Sequence, residues 1–260
     1  MLASVDGAIG PAAEARIPVT DEGLLRGDGA FEVMRLYAGR PFALEDHYAR
    51  LARSCAGLRL EVDFDALRAE VAALLEQAGP VEGLVRLVLT RGGRRIAIVE
   101  PLPRYAPLAR VMTVRYAPSR VLDGIKSLSY AGNMLARRLA EEAGYDEALL
   151  VTPHGRVLEG PTWSFFWVRD GELLTPPLED RILASITRER IIAATGAAEE
   201  PCTLEDLHAA EEAFIASTVR EVLPIAAIDD LRLPAAPGPV TLRTREALAQ
   251  AIQRELGAPA

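Results

Sequence analysis

The chain has 260 residues, of which 50% are hydrophobic and 25% are charged, a composition that is ordinary for a globular protein with a substantial core. Its formal net charge of −8 argues against nucleic acid as the main partner, because phosphate backbones are bound by basic faces. No apolar run reaches the roughly 18 residues that a membrane helix needs and no signal-peptide pattern opens the chain, so we expect a cytoplasmic protein with small-molecule ligands and no membrane partner.

Cysteine and histidine usage does not predict a metal site. Cys55 and Cys202 are the two cysteines and lie far apart, which indicates small buried residues rather than a disulfide scaffold. The three histidines, His47, His154 and His208, show none of the spacings typical of metal ligands. We therefore expect no bound metal.

The first part of the chain is typical of an α+β unit. Residues 31–37 alternate in hydrophobicity as a strand does, a turn follows at 38–40, and a short strand then leads to a helix over 45–56. Residues 64–78 carry apolar side chains at helical spacing. Two further strands are predicted in GLVRLVLTRGG and ARVMTVRYAP.

The second part begins after a stretch with little periodicity, residues 113–124, which predicts a connection between domains. Beyond it, AGNMLARRLAEEAG predicts a helix that stops at Gly144, and two strand pairs follow around Pro-His-Gly and Asp-Gly turns. ILASITRERIIAATG predicts another helix, closed by Gly196, and the chain ends in a tail helix. We predict an α+β fold with domains at 1–112 and 125–260.

Lys126, in DGIKSLSYAGN, is the only lysine, so the other 28 of the 29 basic residues are arginine. One explanation is a codon bias that spared a single lysine. The other is chemical, because an amine, unlike a guanidinium, can lose its proton and condense with an aldehyde. The chemical explanation predicts pyridoxal phosphate as the cofactor.

Pyridoxal phosphate also requires an acid partner for its ring nitrogen and a site for its phosphate. Glu159, at a strand end in GRVLEGP, is the candidate acid, and the alternative is a glutamate that faces water. In ASITRER, small residues and a threonine precede a helix, which favours an anion, and the alternative is an ordinary Ser/Thr cap. Ser217 and Thr218, after the apolar strand of FIASTVREV, form a second phosphate candidate.

Taken in order, these motifs resemble one family. The segment 126–190, with RGDGAFEVMRLYAGRPFALEDHYARL upstream and FIASTVREVLPI downstream, resembles the class IV (fold-type IV) pyridoxal-phosphate aminotransferases. That group includes branched-chain and D-amino-acid aminotransferases, R-selective amine transaminases and aminodeoxychorismate lyase. The resemblance implies a small N-terminal α/β domain, a larger C-terminal domain, the cofactor in the cleft between them, and a homodimer.

The resemblance also implies roles for individual residues. Lys126 matches the lysine that forms the Schiff base with the cofactor and serves as the catalytic acid and base. Glu159 matches the residue that pairs with the pyridine nitrogen of the cofactor. The residues that match phosphate contacts are Arg50, Ile186, Thr187, Ser217 and Thr218. Arg91 matches an arginine that binds the substrate carboxylate in D-amino-acid aminotransferase-like and lyase-like members. The remaining residues implied at the substrate are Arg35, Arg86, Phe31 and Tyr130. For Arg35 and Arg86, the alternative is that they are strand arginines on a solvated face.

Some positions depart from the branched-chain pattern. Branched-chain members have a tyrosine five residues after the lysine, whereas here Tyr130 follows Lys126 by four. Their Gly-Thr-Ala turn is replaced by Ser-Thr-Val at 217–219, and their glycine before the Ile-Thr pair is replaced by Ser185. KSLSYAGNM and VLEGP also resemble sequences grouped with the lyase. We therefore predict transamination between an amino donor and a 2-oxo acid acceptor, with aminodeoxychorismate lyase, which forms 4-aminobenzoate and pyruvate, as the alternative.

Overall fold

The computed structural model describes residues 1–257, and these form two compact units. The first holds Met1–Pro103 and Ile125–Tyr130, and the second holds Arg104–Gly124 and the chain from Ala131 onward. This division differs from the predicted one at 1–112, 113–124 and 125–260. The expected connection lies within the second unit, and the segment that carries Lys126 lies within the first.

The first unit is built on an antiparallel sheet. Its strands are β1 (Leu2–Val5), β2 (Ala8–Pro11), β3 (Gly29–Tyr37), β4 (Arg40–Pro41), β5 (Gly83–Thr90) and β6 (Arg95–Pro101). They are hydrogen-bonded in the order β2-β1-β6-β5-β3-β4. The long central pair, β3 and β5, runs in register from Gly29 opposite Thr90 to Leu36 opposite Gly83.

The helices of this unit are α1 (Glu22–Arg26), α2 (Leu44–Leu58) and α3 (Phe64–Ala78). The two long helices, α2 and α3, pack on one face of the sheet. The Asp21 and Asp63 side chains cap α1 and α3 by accepting backbone N–H groups, as short polar residues do at helix starts. Alternate residues of β3 and β5 and the apolar side of the two long helices form the core, which includes Met34, Leu36, Leu51, Leu67, Leu74 and Leu87.

The second unit contains a mixed sheet. Its strands are β7 (Ala109–Arg115), β8 (Glu147–Val151), β9 (Arg156–Val157), β10 (Ser164–Arg169), β11 (Glu172–Thr175), β12 (Ala198–Glu199), β13 (Cys202–Thr203), β14 (Glu212–Ser217), β15 (Glu221–Ile228) and β16 (Leu231–Arg232). The order is β12-β11-β10-β14-β15-β7-β8-β9-β13, with β16 on β15. Because β7 pairs in parallel with both β8 and β15, residues 109–115 belong to this unit.

The helices of the second unit are α4 (Ala131–Glu142), α5 (Ile186–Thr195) and α6 (Pro239–Leu256). Short 3-10 turns lie at Arg120–Leu122, Leu178–Asp180 and Asp206–Ala209. Helix α4 lies against β7 and β8, while α5 and α6 contact each other and strand β14. The sheet core is rich in aromatic side chains, including Trp163, Phe165 and Trp167.

Most predicted elements are confirmed. The hairpin at 31–40 and the helices at 45–56 and 64–78 correspond to β3, β4, α2 and α3, and Gly196 ends α5 in a left-handed conformation as expected of a C-terminal glycine. Strands β1, β2 and β6 were not predicted. Among residues 1–257, no helix is both long and apolar enough to cross a membrane.

Candidate active site

The segment that carries Lys126 is attached to the edge of the first unit. The Phe31 N–H donates to the Lys126 carbonyl at 3.1 Å, and the Leu128 N–H donates to the Gly29 carbonyl at 2.8 Å. The Lys126 N–H donates to the Ser54 hydroxyl of α2 at 3.1 Å. Three hydrogen bonds to β3 and α2 therefore fix the backbone on both sides of the lysine.

The Lys126 amine lies beside two aromatic rings. Its Nζ atom is 4.4 Å from the centroid of Phe31 and 5.7 Å from the centroid of Tyr130. The two rings meet edge to face at 5.2 Å, an arrangement that aromatic pairs favour. The structure thus brings together three of the predicted site residues and places Tyr130 at the amine despite its offset of four residues.

Arg50 belongs to a buried cluster with two residues that the sequence analysis did not select. Its Nε and Nη2 atoms donate to the two carboxylate oxygens of Glu32 at 2.6 and 2.7 Å, and His47 Nδ1 lies 2.8 Å from Glu32 Oε2. All three side chains are at most 6% exposed. A glutamate inside the apolar strand GAFEVM is the sequence signal that predicts such a buried partner.

The electrostatics of this cluster favour an ionised glutamate and a neutral histidine. Burial alone would raise the pKa of Glu32, but the Arg50 charge and hydrogen bonds from Arg50 and His47 lower it from 4.5 to about 2. Burial lowers the pKa of His47 below its ordinary 6.5, against the opposing effect of Glu32. The Arg50 guanidinium is therefore held in one orientation by a permanent negative charge.

Arg91 is held by its own unit. Its Nε donates to Asp28 Oδ2 at 2.5 Å, and its Nη2 and Nη1 atoms donate to the carbonyls of Leu58 and Arg59 at 2.7 and 3.4 Å. These contacts join β5 to the end of α2. A substrate carboxylate at Arg91 would have to compete with Asp28.

The other two candidate arginines lie on β3 and β5. Arg86 donates from Nε and Nη2 to the Glu100 carboxylate at 2.7 and 2.9 Å. The Arg35 guanidinium carbon lies 4.8 Å from the centroid of Tyr37. The interpretation of Arg86 as a paired strand arginine is consistent with this geometry.

In the second unit, Glu159 follows β9 and is fixed by the backbone. Its Oε1 atom accepts the Leu183 N–H at 3.0 Å, and Leu183 precedes α5. Tyr116 is nearby, and burial together with the Glu159 charge raises the pKa of its phenol. Tyr116 donates to Asn133 Oδ1 at 3.3 Å, and Asn133 donates to the Pro161 carbonyl at 3.1 Å. Glu159 is half-buried, and its role at the ring nitrogen stays a prediction.

The predicted phosphate residues lie at one helix start and one turn of the second unit. Ser185 caps α5 by accepting the Arg188 N–H at 3.3 Å, and Ile186 and Thr187 are the first helical residues, both buried. Their N–H groups have no carbonyl one turn earlier in the helix, so they favour an anion. Ser217 ends β14 and, with Thr218, forms the turn into β15.

These residues fit pyridoxal phosphate by the chemistry of their donors. The first unit offers a primary amine, and the second offers a carboxylate oriented by an N–H, a helix start and hydroxyl groups, which are the groups that the aldehyde, the ring nitrogen and the phosphate require. Among residues 1–257, no group of three or more His, Cys, Asp or Glu could hold a metal ion.

Position 160, next to Glu159, requires a glycine because the Trp163 side chain approaches its backbone closely. A Cβ atom there would overlap the Trp163 indole, and the Gly160 N–H donates to the Trp163 carbonyl at 2.8 Å. We expect Gly160→Ala to lower the free energy of unfolding by about 1 to 3 kcal/mol through overpacking, measured by chemical denaturation. Gly10→Ala is the control, because a Cβ at Gly10 meets no atom within 4 Å. Equal stability of the two variants would contradict the close packing at Gly160.

Comparison with known proteins places this geometry in a family. A model described as amino-transferase class IV matches residues 29–228. The chain is 36% identical to the "Putative branched-chain-amino-acid aminotransferase" of Methanocaldococcus jannaschii over 83% of this chain and 84% of the relative. It is 29% identical to the D-alanine aminotransferase of Bacillus licheniformis over 96% of each.

A solved structure gives the same result. The branched-chain aminotransferase of Thermoproteus uzoniensis with norvaline superimposes with a TM-score of 0.88 at 30% identity, covering 99% of this chain and 96% of that one. Fold and family model together define a fold-type IV transaminase, and the chain belongs to the class IV aminotransferase family. It is a pyridoxal-phosphate-dependent aminotransferase. The relatives do not favour the aminodeoxychorismate lyase alternative.

Proposed function

We propose that this aminotransferase uses L-amino acids with apolar side chains as donors and 2-oxo acids as acceptors. The observation that carries the proposal is the apolar surrounding of the Lys126 amine. Phe31 lies against that amine, and its cross-strand neighbour is Val88, which in turn pairs with Ile96. Cross-strand neighbours share one face of a sheet, so the row beside the lysine is aromatic and aliphatic.

The named relatives support the same substrate class. Branched-chain amino acids, D-alanine and norvaline all have apolar side chains. The handedness is supported by Arg91, the residue matched to carboxylate binding in D-amino-acid aminotransferase-like members, because Asp28 and two carbonyls already engage its guanidinium. We therefore expect L donors to react faster than D donors.

In the proposed mechanism, Lys126 is both the anchor and the catalytic acid and base. Bound pyridoxal phosphate supplies an aldehyde that takes up the amino group and a ring that withdraws electrons. Lys126 Nζ accepts the proton from the Cα atom of the donor and, in the reverse half of the reaction, delivers a proton to the Cα atom of the new amino acid. Phe31 and Tyr130 lie beside the amine and would restrict its position when the cofactor is bound.

The remaining residues bind and orient. We propose that Glu159 holds the proton at the ring nitrogen, and that the phosphate is bound by Arg50, Ile186, Thr187, Ser217 and Thr218. Arg35 and Arg86 are proposed at the substrate carboxylate, where Arg86 would exchange its pair with Glu100 for the substrate. We also propose that the protein is a homodimer and that it acts in the cytoplasm, as the sequence analysis predicts.

A panel of donors tests the substrate proposal. With one 2-oxo acid acceptor in excess, we expect kcat/KM for L-valine, L-leucine and L-alanine to exceed that for L-aspartate, L-lysine and the D-enantiomers by about tenfold or more, because an apolar site leaves an added charge desolvated. The measurement is the initial rate of 2-oxo acid formation. A charged donor that outperforms all apolar ones would overturn the substrate class, and a faster D series would overturn the handedness.

A further inference from the structure

Glu147, the first residue of β8, is a buried carboxylate with no part in the mechanism above. It is 2% exposed. Its Oε2 atom accepts the Trp163 Nε1–H at 3.1 Å, and its Oε1 atom accepts Arg220 Nη2. Arg137 Nε from α4 lies 3.7 Å from the same Oε1 atom. One side chain thus contacts the loop that follows Glu159 and the turn that contains Thr218.

The hydrogen bond with Trp163 links Glu147 to Glu159 indirectly, through Trp163 and Gly160. The Trp163 indole lies across Gly160, where a Cβ atom would overlap it, and the Trp163 carbonyl accepts the Gly160 N–H at 2.8 Å. Gly160 directly follows Glu159 in the chain. Since the indole N–H is held by Glu147, the position of the 159–163 loop depends on that hydrogen bond.

The ion pair with Arg220 connects Glu147 to the turn that contains Ser217 and Thr218. The Arg220 N–H donates to the Ser217 hydroxyl at 3.1 Å, which closes the turn around Thr218. The Arg220 side chain is 3% exposed; its guanidinium carbon lies 4.3 Å from the Tyr105 ring centroid, and within residues 1–257 its Nε atom has no hydrogen-bond partner. Because the Arg220 guanidinium is buried, its positive charge has to be compensated, and Glu147 supplies the negative charge that does so.

We propose that Glu147 is a positioning residue that holds the 159–163 loop and the 217–220 turn in the arrangement that binds the cofactor. Glu147 does not touch the reacting atoms. It acts by keeping the Glu159 carboxylate and the hydroxyls of Ser217 and Thr218 at fixed positions within the second unit. The inference rests on the proposed roles of those three residues, and it gives a role to a residue that the sequence analysis did not select.

The test is the affinity of the apoprotein for pyridoxal phosphate. Glu147→Gln keeps the shape of the side chain but removes the charge that compensates Arg220. Removing a charged hydrogen-bond partner of this kind is expected to raise the dissociation constant for pyridoxal phosphate by about tenfold to a hundredfold. Equilibrium dialysis measures the constant, at a temperature where circular dichroism shows the variant to be folded.

Glu141→Gln is the matched control. Glu141 accepts Arg137 Nε at 2.8 Å, so its replacement removes one negative charge beside the same Arg137, but its side chain is 46% exposed and contacts neither loop. Its dissociation constant is expected to stay within about twofold of the wild-type value. A folded Glu147→Gln protein with wild-type affinity would overturn the proposal.

Trp163→Phe decides the question if Glu147→Gln does not fold. This variant removes one N–H donor and leaves the ion pair of Glu147 and Arg220 in place. A dissociation constant raised about threefold or more would support the positioning role, and unchanged affinity would overturn it. A wild-type protein that does not bind pyridoxal phosphate would instead refute the proposed function, and the inference with it.

Discussion

Replacing Lys126 with arginine is expected to lower the rate of transamination by at least about a thousandfold. The guanidinium keeps the positive charge beside Phe31 and Tyr130 but cannot lose its proton at neutral pH. It can therefore neither carry the cofactor aldehyde nor accept the Cα proton, and acid–base catalysis alone contributes about a hundredfold to ten-thousandfold. The measurement is kcat with the best donor of the panel.

The uniqueness of this lysine makes the result easy to assign. Borohydride treatment with pyridoxal phosphate should label one internal peptide, the one containing residue 126, because the chain has no other lysine. Lys126→Arg should lose that label. Arg138→Lys is the control, since it places a lysine on α4, outside the proposed machinery, and should keep both the label at 126 and the wild-type rate. Normal turnover by Lys126→Arg would refute the mechanism.

Replacing Glu32 with alanine is expected to lower the free energy of unfolding by about 3 to 5 kcal/mol. The substitution removes the bidentate partner of the Arg50 guanidinium, whose side chain is 6% exposed, and breaking a buried ion pair by removing one member is costly. Chemical denaturation measures the change. The matched control is Glu45→Ala, which breaks an exposed pair with Arg68 and should cost at most about 1 kcal/mol. Similar losses in the two variants would contradict the buried character of the cluster.

The same cluster predicts how stability depends on pH. The pKa of Glu32 is lowered from 4.5 to about 2 in the folded protein, so its contribution is fully present above pH 4.5 and is lost as the pH falls towards 2. The pKa of His47 is lowered below 6.5, so the unfolded chain binds more protons there and stability falls as the pH drops below 6.5. The stability difference between wild type and Glu32→Ala should therefore shrink as the pH falls from 4.5 towards 2. A difference that stays constant or grows over that range would contradict the lowered pKa of Glu32.

The local elements follow from the sequence where neighbours in the chain decide the structure. The periodicity of α2 and α3 and the hairpin of β3 and β4 are predicted because side chains three, four or two residues apart share a face. Strands β1 and β6 pair between Ala3 and Ile98, and no local pattern encodes a pairing across so many residues. Such pairings depend on the register of the whole sheet.

The predicted domain boundary shows the same contrast. Composition at 113–124 indicates a connection, but strand β7 extends through Arg115 because β8 pairs with it from Val111 to Arg115, while β15 pairs only with its first residues, 109–111. Lys126 lies in the first unit because its segment finds hydrogen bonds on β3 and α2. Backbone groups must find partners somewhere, and the sequence does not state where.

The chemistry of this protein follows from its amino-acid sequence. One amine beside 28 arginines, an acid at a strand end and a threonine at a helix start are each weak signals, but in their order along the chain they resemble one family, and that resemblance implies the cofactor. The groups that surround the functional residues are known only from the tertiary contacts: Phe31 and Tyr130 at the amine, Glu32 and His47 at Arg50, and Glu147 between Trp163 and Arg220. The reason is that chemical identity belongs to a single side chain, whereas orientation and compensation of buried charge come from partners that are distant in the chain and close only after folding.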